Sequence, residues 1–137
     1  MKNKILIVDD EKLMRVSLED KLTKEGYAVN SLSNAVEGIK LLQSTNFDAV
    51  ITDLRLPRMD GIDFLREIKK AFPDTVVIIM TAYGSIENAV TAMKEGAYDY
   101  VTKPFPLEEL TIKLQKALKH KDTIAENIML KQRVLSQ

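Results

Sequence analysis

Five short apolar runs recur along the chain at near-regular spacing: Ile5-Leu6-Ile7-Val8, Tyr27 to Leu32, Asp48 to Thr52, Val76 to Met80 and Tyr98 to Thr102. The stretches between them carry apolar residues at helical spacing, as Phe64, Leu65, Ile68 and Phe72 do within Ile62 to Phe72. Arg15 to Leu22 does the same with Val16, Leu18 and Leu22, and Val36 to Leu42 with Ile39 and Leu42; Ile86 to Met93 and Leu107 to Leu118 repeat the pattern. Strands that alternate with helices pair in parallel, because each helix is a crossover that packs back over the sheet. The expected fold is therefore α/β, a doubly wound five-stranded parallel sheet with helices on both faces. The nearly unbroken Ile/Val content of the first and fourth runs suits strands buried on both sides.

Turn and cap residues agree with these boundaries. Gly26 stops the first helix, Ser33 or Asn34 can cap the second, Asp60-Gly61 opens the third and Gly96 closes the fourth. Ser85 has the character of a helix start, but Asn88 stands where a capping box needs Glu or Gln. Beyond Leu118 there is no strand signal, no Gly and no Pro, so the last helix is expected to continue. Leu110, Leu114, Ala117, Lys121, Ile124, Ile128, Lys131 and Leu135 step by four and three, a heptad seam interrupted by two lysines. A frayed terminal helix and a dimerising coiled-coil linker both fit that pattern.

Composition removes several classes of chemistry. With no cysteine there is no disulfide, no thiolate nucleophile and no Cys-based zinc or iron-sulfur site, which agrees with a cytoplasmic setting. A single histidine, His120, excludes multi-histidine metal sites. The longest apolar runs fall far short of the roughly 20 residues that span a bilayer, and no cleavable leader is expected. A formal net charge of zero gives no electrostatic case for direct nucleic-acid binding by this segment.

In an open parallel sheet, ligands bind outside the carboxyl ends of the strands. The residues there are Asp9 and Asp10 after the first run, Asp53 after the third, Thr81 after the fourth and Lys103 after the fifth. Singly, each has an ordinary explanation: a turn former or helix cap for the acids, a β-favouring residue for Thr81, a solvated charge for Lys103. Jointly they do not. Three crowded carboxylates must bind a cation, take up protons or recruit a positive side chain. An all-oxygen ligand set with no His or Cys selects a hard ion, with Mg²⁺ the natural choice. Metal, lysine and hydroxyl together suit phosphoryl transfer, and a carboxylate can be the acceptor. Asp53, alone on the central strand, is the candidate acceptor, with the Asp9-Asp10 pair better placed to hold metal.

Val8-Asp9-Asp10-Glu11, the run from Thr52-Asp53 to Asp60-Gly61, Thr81-Ala82 and Lys103-Pro104-Phe105 resemble the receiver domain of bacterial two-component response regulators. The resemblance implies a flavodoxin-like fold with strand order 2-1-3-4-5, and phosphorylation of Asp53 by a sensor histidine kinase. It further implies that Asp10, Asp53 and the backbone carbonyl of Arg55 bind Mg²⁺, with Asp9 acting through a water on the metal. Thr81 and Lys103 then meet the phosphoryl oxygens, Lys103-Pro104 is a cis peptide, and Tyr100 is a switch aromatic coupled to Thr81. Residues 1–120 form the receiver and 121–137 a helical linker.

The segments Thr81 to Val90 and Gly96 to Tyr100 are similar to receivers that begin sigma-54-dependent transcription activators, whose ATPase and DNA-binding domains this chain does not contain. The implied output is a changed homodimer through the fourth helix, fifth strand and fifth helix, or through the terminal helix. Arg55 and Tyr83, two places beyond Asp53 and Thr81, are placed to screen an acyl phosphate from water. The alternative is a Mg²⁺-dependent phosphatase with an aspartyl nucleophile. Such enzymes commonly need a second acid two residues on, where this chain has Arg55.

Overall fold

The computed structural model describes residues 2–82 and 85–135, with side chains described as far as Lys121. Strands and helices alternate throughout: β1 (Lys4–Val8), α1 (Lys12–Lys24), β2 (Ala28–Leu32), α2 (Ala35–Ser44), β3 (Ala49–Asp53), α3 (Gly61–Ala71), β4 (Val76–Ala82), α4 (Ile86–Lys94), β5 (Asp99–Lys103) and α5 (Leu107–Leu135). All four strand pairings are parallel, in the order β2-β1-β3-β4-β5. The fold class and strand order expected from the sequence are those observed.

The period-two pleat divides each strand between two cores. Ile5 and Ile7 of β1, Ala49 and Ile51 of β3, Ile78 and Met80 of β4, and Val101 of β5 face α1 and α5, where Leu18, Leu22, Leu110 and Leu114 close over them. Leu6, Val8, Val50, Val77 and Ile79 face the other way, toward Leu42 of α2, Phe64, Leu65 and Ile68 of α3, and Ala92 of α4. Both sheet faces are thus dry, which explains why β1, β3 and β4 read as continuous apolar runs.

Local signals hold in most places. Asn34 caps α2, its Oδ1 accepting from the Glu37 N–H at 2.9 Å. Gly26 and Gly96 follow α1 and α4 with φ of 99° and 109°, left-handed conformations that glycine adopts without strain. Two expectations need correction. Val16 is 54% exposed, because Met14, Leu18 and Leu22, four residues apart, take the inward face of α1. Ser85 occupies the N-cap position of α4, but its side chain makes no cap hydrogen bond.

Strand ends also run further than the apolar runs suggest. Asp53, Thr81 and Lys103 are not beyond their strands but within them, since ladder pairing continues after hydrophobicity stops. The connection from β3 to α3 then folds back so tightly that the Gly61 N–H donates to the Leu54 carbonyl at 2.8 Å. A Cβ on Gly61 would lie 2.4 Å from Leu54 Cα and 2.6 Å from the Asp53 carbonyl oxygen, both backbone atoms that no rotamer change can move aside. Gly61→Ala is expected to destabilise the fold by about 1–3 kcal/mol, the usual cost of overpacking. The urea midpoint is the measurement, and an unchanged midpoint would mean that the loop retreats freely.

Candidate functional site

The pleat that sorts the core also sorts the polar edge. Asp9, Asp53 and Lys103 continue the rows that face α1 and α5, whereas Thr81 and Tyr100 continue the rows that face α4. The first three meet directly. Lys103 Nζ donates to Asp9 Oδ2 at 2.8 Å and to Asp53 Oδ2 at 2.7 Å, joining residues 94 and 50 positions distant in sequence. Glu11 stands further off, its Oε1 3.9 Å from the same ammonium.

The remaining carboxylate oxygens are held by backbone. Asp9 Oδ1 accepts from the Glu11 N–H at 2.9 Å and Asp53 Oδ1 from the Arg55 N–H at 3.0 Å. Asp9 is fully buried, and its own carbonyl accepts from Arg15 Nη1 at 2.8 Å, which fixes the turn into α1. Asp10 differs from both. It is exposed and makes no hydrogen bond or ion pair with the described residues, yet one of its oxygens lies within 4.8 Å of oxygens of Asp9 and Asp53. The three acids form the one cluster of metal-ligating side chains among the described residues. Carboxylate-only donors with one member unpartnered fit a hard divalent ion that keeps several waters.

Burial pulls the Lys103 ammonium toward deprotonation, but its hydrogen bonds and charge interactions with Asp53 and Asp9 outweigh this and raise its pKa above the ordinary 10.5. The charged form is therefore favoured by folding. Its contribution is present in full below the ordinary lysine value and is lost as pH climbs through the higher folded-state value.

Thr81 is buried, and its hydroxyl donates at 3.5 Å to the Val101 carbonyl, not to Asp53 or Lys103. It lines a small cavity together with Ala82, Ser85, Ile86, Ala89, Tyr100 and Thr102. Tyr100 is 38% exposed and borders a second, shallow cavity against Ile86, Val90 and Met93 of α4. Lys113 of α5 covers its ring at 5.5 Å and donates to its carbonyl at 2.6 Å. The Lys103–Pro104 peptide is cis.

Arg15 and Lys113 escaped the sequence reading. Each is a basic residue on an amphipathic helix, with nothing in its spacing to separate it from a solvated charge. Arg55 is exposed beside Asp53. Tyr83, with which it was expected to screen the site, lies outside the described residues, as do the side chains of Ile124, Ile128, Lys131 and Leu135 in the expected seam.

A doubly wound parallel sheet of this strand order, with an acid trio and a lysine at its carboxyl edge, defines a flavodoxin-like α/β domain. Residues 5–115 match the family model of the response regulator receiver domain, and the chain belongs to that family. Over 116 residues it is 42% identical to the regulatory protein AtoC of Escherichia coli strain K12, covering 85% of this chain and 25% of that protein. It is 36% identical to the DNA-binding transcriptional regulator NtrC of Proteus hauseri, covering 93% of this chain and 28% of that protein. The chain thus spans about a quarter of the length of these two relatives.

Among solved structures, NtrX from Brucella abortus superposes with a TM-score of 0.93 at 32% identity, over 98% of this chain and 30% of that one. A receiver domain protein from Clostridium thermocellum superposes with a TM-score of 0.84 at 38% identity, over 89% of this chain and 98% of that one. The chain is similar to the receivers that open NtrC-type regulators. No described helix is long and apolar enough to cross a membrane.

Replacing Lys103 by Met should flatten the alkaline limb of stability. Urea midpoints followed upward from pH 10.5 are expected to fall more steeply in the parent chain than in Lys103→Met. Parallel decline would remove the ammonium from its place between Asp9 and Asp53.

Proposed function

We propose that Asp53 accepts a phosphoryl group from the phosphohistidine of a partner sensor kinase. The observation that carries this reading is the Lys103 ammonium bridging Asp53 and Asp9 beside an unpartnered Asp10. A carboxylate oxygen of Asp53 attacks phosphorus, the P–N bond breaks, and the electron pair leaves with the imidazole, which takes up a proton. Lys103 follows the charge from the carboxylate onto the phosphoryl oxygens. Asp10, Asp53 and the Arg55 carbonyl would hold Mg²⁺, with Asp9 acting through a water on the metal. When bound, the ion would supply neutralisation of the phosphoryl charge.

Thr81 then exchanges its 3.5 Å bond to Val101 for a phosphoryl oxygen, a stronger charge-assisted partner. Its movement opens the small cavity it shares with Tyr100, and the ring swings inward. The α4-β5-α5 surface, with Ile86, Val90 and Met93 exposed, changes shape and with it the homodimer. Residues 1–120 act as the receiver, while 121–137 link it along α5 to a sigma-54-type transcription-activating output domain. The setting is cytoplasmic, with no direct DNA contact by this segment.

Incubation with Mg²⁺ and a small phosphodonor, followed by intact mass, is expected to add one phosphoryl group that is absent in Asp53→Asn. Asp10→Ala should abolish both the reaction and its Mg²⁺ dependence while sparing the fold, because it relieves repulsion between carboxylates. Modification that persists in Asp53→Asn would overturn the assignment. Turnover of a chromogenic phosphate ester would favour an aspartyl-nucleophile phosphatase instead. Sedimentation with and without a phosphoryl mimic reads the dimer, and identical assemblies would end that part of the proposal.

A further inference from the structure

At the opposite edge of the sheet, the amino ends of β4 and β5 and the adjoining part of α5 line an open cavity of about 550 Å³ that the proposed phosphorylation chemistry does not use. That volume lies within the range of small-molecule sites. Val77, Ala97 and Ala117 give it apolar walls. Two rings, Tyr98 and His120, stand at its side with centroids 6.1 Å apart and planes tilted by 46°.

Two lysines also reach it. Lys69 Nζ donates to the carbonyls of Pro73 at 3.0 Å and Thr75 at 2.9 Å, which leaves one of its three N–H bonds unused. No carboxylate lies within ion-pair distance of it among the described residues, a costly position for a half-buried cation. Burial lowers its pKa, with Asp74 opposing the shift and the charge of Lys121 adding to it. Its stem is held over Gly96, where a Cβ would come within 3.1 Å of Lys69 Cγ. Lys121 has one distant partner, Asp48 at 3.6 Å.

We propose that this cavity binds a small aromatic anion, a carboxylate or sulfonate whose ring packs between Tyr98 and the apolar wall and whose charge meets the free N–H of Lys69. The anion supplies a counter-charge within hydrogen-bond reach, which Asp74, also in the cavity lining and favouring the charged lysine from beyond ion-pair distance, does not. Apolar walls with a few placed polar groups are the usual makeup of such sites. Binding here is independent of phosphotransfer and is expected unchanged in Asp53→Asn, so failure of one reading leaves the other standing.

The full chain titrated with anilinonaphthalene sulfonate should show saturable fluorescence, with amide shifts at Val77, Ala97, Tyr98 and His120. Lys69→Met is expected to weaken binding about tenfold, the scale of one hydrogen bond to a charged group, while Lys69→Arg retains it. The uncharged N-phenylnaphthylamine should bind more weakly. Because Lys69 also ties the turn at Pro73, Lys121→Met is a second variant, with a smaller loss expected. Shifts gathered on Ile86, Val90 and Met93, equal binding of the neutral probe, or affinity unchanged in folded Lys69→Met or in Lys121→Met would each overturn the proposal.

Discussion

One ammonium stands between two carboxylates at the carboxyl edge of the sheet, and the rest of the site is arranged around that fact. Without Lys103, Asp9 would be a fully buried charge compensated by one backbone N–H, an arrangement that burial strongly penalises. With it, the two acids share one cation at close range, and a third, Asp10, has an oxygen within 4.8 Å of both. Lys103 comes from the end of β5, Asp53 from β3 and Asp9 from just past β1, so the bridge requires the complete parallel sheet. The hydrogen bond from the Gly61 N–H to the Leu54 carbonyl, at 2.8 Å, belongs to the same requirement, since it sets how the loop beside Asp53 turns away.

The pleat gives this edge two sides with different tasks. On the α1/α5 side, the acids and the lysine form a preorganised charge cluster. On the α4 side, Thr81 and Tyr100 line cavities with weakly held groups: a long hydroxyl bond, a half-exposed ring and a lysine resting over it. Chemistry is suited to the rigid side and conformational change to the loose one, where competing arrangements differ by little free energy. Under the proposed function, a single phosphoryl group on Asp53 would touch both sides and couple them.

The order and type of every element were legible in the sequence, because dry strands and amphipathic helices have different periods. Strand ends were misplaced by one or two residues for a physical reason. Hydrophobicity marks burial, whereas the ladder marks hydrogen bonding, and at Asp53, Thr81 and Lys103 the two part company. Convergence of the acids and the lysine could be argued from topology, but their pairing could not. Which oxygen meets Lys103, why Asp10 alone is unpartnered, and the Arg15 hold on the Asp9 carbonyl depend on side chains brought together across the fold. Val16 shows the limit of apolar character as a guide. It lies in the expected helix but off the stripe set by Leu18 and Leu22.

Helix α5 begins four residues after Lys103, and Lys113 fastens it to the Tyr100 carbonyl. It runs unbroken for 29 residues, which at about 1.5 Å per residue makes a rod of roughly 43 Å. A rod anchored at one end multiplies angle into distance: a tilt of roughly five degrees at its base carries the tip by about 4 Å. Sub-ångström adjustments beside Tyr100 therefore need no relay of successive contacts to be felt far away, because leverage alone enlarges them.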